Sequence, residues 1–108
     1  MYYMFKLINK IFGSKPAVDF SELVKSGAVI LDVRTKGEYA SGHIKGSINI
    51  PVEQLGSSLN KLKNKNNVII TCCASGMRSA SAKGLLTSKG YTNVYNGGSW
   101  SSLERKIN

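Results

Sequence analysis

Only two of the 108 residues are cysteine, and they are neighbours, Cys72 and Cys73. Adjacent cysteines close only a strained ring, so they make a poor staple for a secreted fold and read as thiols in a reducing compartment, which favours the cytoplasm. Histidine is scarcer still. His43 stands alone, and one distant His beside two adjacent thiols lacks the ligand spacing of a metal site, so neither a metal nor any other cofactor is expected. Acidic residues are also few, with 6 Asp and Glu against 15 Lys and Arg, a formal net charge of +9. That excess sets up a field attractive to small anions, nucleic acid or acidic lipid. The basic residues are nevertheless spread from Lys6 to Lys106. Only Lys61, Lys63 and Lys65 cluster, with no aromatic residues interleaved as a stacking platform would require, so no nucleic-acid partner is expected. Internal repeats and low-complexity segments are absent.

What is present suffices for one compact core and is too short for two ordinary domains: 42% of the side chains are hydrophobic. Residues 1–16 stand apart as an amphipathic segment and a linker. Met1, Met4, Phe5, Ile8, Ile11 and Phe12 fall at helical spacing, and Gly13-Ser14-Lys15-Pro16 follows. Lys6 and Lys10 interrupt the apolar run that a secretory signal needs, and the segment is too short to span a bilayer. Its apolar face is expected to dock on the domain or on a second copy in preference to a membrane surface, which leaves a homodimer open.

From residue 17 onward, short apolar runs alternate with segments that carry helical punctuation. The expected order is an edge strand over 17–20, a brief helix over 21–26 stopped by Gly27, and the best strand of the chain over 28–33. Thr35 and Glu38 have capping-box spacing for a short helix that ends near Gly42. A strand over 47–50, a helix over 52–62, a strand over 68–71, a helix over 79–89 and a last strand over 92–95 complete the reading. Strands separated by helices imply an α/β fold with a mainly parallel central sheet, here of about five strands, and helices on both faces.

In such sheets ligands bind beyond the carboxyl ends of the strands, where the loop Cys73-Ala74-Ser75-Gly76-Met77-Arg78 falls. Small residues let backbone amides turn inward, a helix start adds its positive end, and Arg78 adds a full charge. The result is an anion cradle around a sulfur atom, in surroundings that favour the reactive thiolate without a histidine base.

Leu31-Asp32-Val33-Arg34, Glu38-Tyr39, the run from Gly42 through His43 to Pro51, the loop from Cys73 to Ser79, and Gly97-Gly98 followed by Trp100 resemble the rhodanese family in order and spacing. The resemblance covers residues 17–106 and identifies 17–108 as a rhodanese-like domain. It implies a sulfurtransferase that moves sulfane sulfur from a small anionic donor such as thiosulfate, through a persulfide on Cys73, to a thiol acceptor, which could be a protein, or to cyanide. Cys73 would be the nucleophile. The backbone from Ala74 through Ser75, Gly76 and Met77 to Arg78 would bind the terminal sulfur, with Arg78 completing the cradle electrostatically. His43 would make a structural hydrogen bond.

A rival reading lies in the same residues. Counted from Cys72, the loop is Cys, five residues, Arg, the pattern of a cysteine phosphatase or arsenate reductase with a rhodanese-like fold. The resemblance favours Cys73 and leaves Cys72 a small buried hydrophobe. A non-catalytic binding module is a third reading, weakened because both the cysteine and the loop arginine are present. Arg34 and Glu38 are expected to form an ion pair tying strand end to helix, and Trp100 is expected to cap the core.

Overall fold

The computed structural model describes residues 17–108, so the amphipathic segment and its linker, residues 1–16, lie outside the described residues. Helix α1 (Phe20–Lys25) leads into β1 (Val29–Asp32), α2 (Lys36–Ser41) and β2 (Ile48–Asn49). Helix α3 (Val52–Leu55) and a 3-10 turn (Leu59–Lys61) follow. Then come β3 (Val68–Cys73), α4 (Met77–Ser88), β4 (Asn93–Ser99) and α5 (Trp100–Ile107). Among the described residues, none of the helices is long and apolar enough to cross a membrane.

The strands form one sheet in the order β2-β1-β3-β4, with every pairing parallel. Alternation along the strands divides the core into two layers, because successive side chains leave a strand on opposite faces. Leu31, Val33, Ile69 and Cys73 pack with Leu55, Ala82 and Leu86 on the α3 and α4 side. Ile30, Ile70 and Cys72 pack with Leu103, and with Phe20, Leu23 and Trp100, on the α1 and α5 side. Strands covered on both faces must be apolar almost throughout, which is why 28–33 and 68–73 each hold a single residue that is polar or charged. Each fully buried Leu or Ile contributes about 1.5–3 kcal/mol relative to an exposed one.

Four strands are found among the described residues, not about five. Residues 17–20 form no strand, because the Asp19 side chain accepts a hydrogen bond from the Glu22 amide at 3.1 Å and caps a helix that starts at Phe20. The helix expected over 52–62 is broken after Leu55, and only a 3-10 turn resumes at Leu59. Gly56-Ser57-Ser58, poor helix formers between the two pieces, account for the break. The last strand runs on to Ser99 and hands over directly to α5. The Ser99 hydroxyl caps that helix by accepting from the Ser102 amide at 3.3 Å.

After β1 the chain moves outward to β2, then returns across the sheet to β3. The carboxyl ends of β1 and β3 therefore flank the point where the strand order reverses, the place where open α/β sheets bind ligands.

Candidate active site

Cys73 ends β3 and its side chain is fully buried. Gly76, at φ 106°, turns the chain sharply so that α4 starts at Met77, two residues earlier than the sequence suggests. A side chain would strain this left-handed geometry. The turn folds the loop back over the sulfur. The Gly76 amide donates to the Cys73 Sγ at 2.9 Å and the Ser79 amide donates at 3.3 Å, while the Ser79 Oγ lies 3.5 Å from it. Burial pushes the Cys73 thiol up, but the Ser79 hydroxyl and the Ser79, Gly76 and Ser75 amides outweigh it and hold the thiol below its ordinary value.

Cys72 is treated in the opposite way. Being the preceding strand residue, it points to the other face, into the α1 and α5 layer, where it is fully buried and its thiol is pushed up to about 12, chiefly by burial. The two sulfurs thus occupy different layers of the core. Cys72 sits as the small buried hydrophobe read from the sequence.

The expected loop residues divide into two groups. Gly76 and Ser75 bring amides to the sulfur, whereas Ala74 is exposed and Met77, at 79% exposure, projects into solvent. The guanidinium of Arg78 does not close over the thiol: it forms a two-pronged ion pair with the Glu38 carboxylate, at 2.8 and 2.9 Å. The expected pairing of Arg34 with Glu38 is accordingly overturned. Arg34 makes Nε and Nη2 bonds to the buried Asp32 carboxylate, the shortest 2.7 Å. It reaches α2 only through the backbone carbonyls of Glu38 and Gly42. Asp32 is two residues away on the same strand end and already inside the core, so it takes the inward-facing guanidinium. Glu38, at the third position of α2, faces back to the Thr35 amide at 2.9 Å and outward to α4. The capping box is present as read, with the Glu38 amide donating to the Thr35 Oγ1 at 3.2 Å. Trp100 packs against the α1 and α5 layer and lies under the Arg34 guanidinium, 4.6 Å from its ring centroid. His43 Nδ1 is hydrogen-bonded to the Tyr39 carbonyl at 2.8 Å, and its ring stacks on Tyr39.

Ser79 and Asn96 belong to the site and were not singled out from the sequence. A helix start at Ser79 conceals that this residue is the third of the helix, inside the first turn on the buried face. Nothing in the local pattern of β4 marks Asn96, which reaches the Ser79 hydroxyl at 2.6 Å.

The Glu38–Arg78 pair has a pH signature. Arg78 and the Thr35 amide hold the Glu38 carboxyl down at about 2, below its usual 4.5. A lowered carboxyl stabilises the fold above its unfolded value, so the contribution is complete above pH 4.5 and is lost as pH falls to about 2. The carboxylate is 37% exposed, so solvent and salt screen the pair and the effect is modest. In urea unfolding at a series of pH values, Glu38→Gln is expected to lose less stability than wild type across that window.

A model of the rhodanese-like domain family matches residues 16–105. The chain belongs to that family. It is 34% identical over 83 residues to thiosulfate sulfurtransferase PspE of Escherichia coli (strain K12), a match covering 76% of this chain and 80% of that protein. A human single-domain sulfurtransferase, TSTD1, superposes with a TM-score of 0.74 at 30% identity, over 88% of this chain and all of that one. The tRNA uridine(34) hydroxylase of Buchnera aphidicola subsp. Baizongia pistaciae (strain Bp) is 37% identical over 78 residues. Those residues are 68% of this chain but only 25% of the hydroxylase.

Proposed function

We propose that this protein is a sulfurtransferase that carries sulfane sulfur as a persulfide on Cys73, taken from a small anionic donor such as thiosulfate and passed to a thiol, on a small molecule or a protein, or to cyanide. The observation that carries the reading is the cradle: a buried thiol at a strand end with the Gly76 and Ser79 amides donating to its sulfur. In the first half-reaction the Cys73 thiolate attacks the outer sulfur of thiosulfate, the bond between its two sulfurs breaks, and sulfite departs with that electron pair. In the second, an acceptor thiolate attacks the terminal sulfur of the persulfide, a new sulfur–sulfur bond forms, the bond from that sulfur to the Cys73 Sγ breaks, and Cys73 leaves with the electron pair as the thiolate. Each step displaces one anion by another, and fixed amide dipoles stabilise the shared charge without reorganising. The net charge of +9 favours approach of a dianionic donor. The relationship to PspE and TSTD1 supports sulfur transfer as the class of reaction. The phosphatase reading through Cys72 draws no support from a thiol buried on the opposite face of the sheet.

The test is the intact mass of reduced protein after brief exposure to thiosulfate. Wild type and Cys72→Ser are expected to gain one sulfur atom, and Cys73→Ser none. Gain that survives in Cys73→Ser, or no gain in any form, would remove Cys73 persulfide chemistry with this donor.

A further inference from the structure

The Ser79 hydroxyl has one proton and three neighbours able to accept it. The Asn96 Oδ1 lies at 2.6 Å, the Gly76 carbonyl at 3.0 Å and the Cys73 Sγ at 3.5 Å. The Asn96 oxygen takes the proton, because its distance falls well inside the usual O–H···O range while the Gly76 carbonyl lies at the edge of it. With the proton on the Asn96 side, the Ser79 oxygen presents lone pairs to Cys73 and accepts from the thiol. It can donate to a thiolate only by rotating away from Asn96. Asn96 is itself held in place, since its Oδ1 accepts from the Gly98 amide at 2.9 Å, a turn made at Gly98 with φ 78°. Thr71 fixes the other partner by donating from its hydroxyl to the Ser79 carbonyl at 2.9 Å.

We propose that Asn96 is a positioning residue that competes with Cys73 for the Ser79 hydroxyl proton, and thereby sets how readily the Cys73 thiol ionises. The proton balance is simple: on ionisation the thiol proton leaves to water, the Ser79 hydroxyl turns from the Asn96 oxygen to the sulfur, and Asn96 keeps its bond from Gly98. Asn96 thereby makes the thiolate less favourable than the rest of the cradle would allow. The other charged or titratable groups around the sulfur are Arg78 on α4 with Glu38 of α2 and Glu53 of α3 beside it, and Cys72 in β3, itself near Asp32 and Arg34. None of these side chains is hydrogen-bonded to Asn96 or Ser79.

The inference rests on Cys73 being the reactive thiol, so the experiment reads both points separately. Reduced wild type is treated with iodoacetamide over a range of pH, the modified cysteine is assigned by peptide mass, and the midpoint of the rate profile is measured. Alkylation is expected at Cys73. Asn96→Ala is expected to lower the midpoint by roughly half to one unit, because only the neutral Gly76 carbonyl is then left to compete for the hydroxyl, and a charged thiolate is the stronger acceptor. Ser79→Ala is expected to raise it, and Asn96→Ala added to Ser79→Ala to change nothing further. Asn96→Asp keeps an acceptor for the Gly98 amide and holds the Ser79 proton more firmly with a charged oxygen, so it is expected to raise the midpoint. The added charge of Asn96→Asp repels the thiolate as well, so the double variant is what distinguishes proton competition from loosening of the turn, which would shift Asn96→Ala with or without the Ser79 hydroxyl. Parallel shifts, no shift, or an Asn96→Ala effect that persists without the Ser79 hydroxyl would overturn the inference and leave the sulfur-carrier reading intact. Where burial keeps iodoacetamide out, the same pH profile is read from the rate of sulfur gain from thiosulfate, and a wild-type Cys73 that neither alkylates nor gains sulfur would overturn both.

Discussion

Replacing Asp32 by asparagine is expected to cost the fold about 3–5 kcal/mol, because it leaves a buried guanidinium without its counter-charge. Arg34 is 4% exposed and Asp32 fully buried, and their side chains meet through three contacts of 2.7 to 3.1 Å. The Asp32 carboxylate also accepts from the Arg34 amide at 3.0 Å, closing the turn that takes the chain out of β1. Without the carboxylate charge, Arg34 keeps the amide oxygen of the new asparagine, two backbone carbonyls and the face of Trp100. Those neighbours are dipoles and a quadrupole, too weak to replace a charge in a site closed to water. Removing both partners is a different experiment. In Asp32→Asn combined with Arg34→Met no buried charge remains, so the double variant is expected to lose less than the two single losses added together. The Glu38 and Gly42 carbonyls would still lack a donor and prevent full recovery. Urea unfolding of the four proteins measures this directly, and strictly additive losses would mean that the two side chains do not act as a pair.

The consequence reaches the active loop. Arg34 pins the end of α2, Glu38 sits on that helix, and the Glu38 carboxylate holds Arg78 two residues into α4. The residues that resemble the rhodanese pattern around Asp32, Arg34 and Glu38 thus form a chain of contacts from the core to the loop, without touching the sulfur themselves.

How much of this was legible beforehand follows from the range of each interaction. The capping box at Thr35 and Glu38 spans three residues, so spacing alone predicts it, and the structure has it. The two apolar runs at 28–33 and 68–71 were readable as buried parallel strands. The cysteine loop was readable as an amide cradle, because turn chemistry and a helix start lie within six residues. What could not be read is what depends on which way a side chain faces across the sheet. Arg34 has two acidic residues nearby in sequence, and spacing could not decide that it turns inward to Asp32 while Glu38 turns outward to Arg78, forty residues on. Asn96 meets Ser79 only because β4 pairs with β3 in a register that places Asn96 opposite Thr71. Residues 17–20 read as a strand because a short apolar run looks alike in strand and helix, and the Asp19 cap decides for the helix. The last helix was missed although Trp100, Leu103 and Ile107 have helical spacing behind a Ser99 cap.

Gly97→Ala is expected to be the most damaging small substitution near the site, at about 3 kcal/mol, because there is no space for a methyl group and no way to make any. A Cβ at Gly97 would lie 2.8 Å from the Ile70 Cγ2, 2.9 Å from the Thr71 carbonyl oxygen and 3.0 Å from the Leu103 Cδ2. The leucine tip can rotate away, but the carbonyl belongs to the backbone of β3 and cannot move without the strand. Here the register of β3 and β4 also shifts: Thr71 faces Asn96, yet Cys73 faces Ser99, so β4 takes an extra residue through Gly97 and Gly98. Forcing β4 outward at that point would draw Asn96 from Ser79 and Gly98 from its bond to Asn96, so the surroundings of Cys73 would change along with the stability. Gly98→Ala separates crowding from backbone strain. That position has open space around it but a φ of 78°, so its cost is conformational only, about 1 kcal/mol. In urea unfolding Gly97→Ala is expected to lose clearly more than Gly98→Ala. On the proposed persulfide reading, its Cys73 is expected to take up sulfur from thiosulfate more slowly than wild type at a urea concentration where both are folded. Equal losses in the two variants would show that β4 yields at Gly97, and that the close approach of the two strands there is not what holds the bulge beneath the cysteine loop.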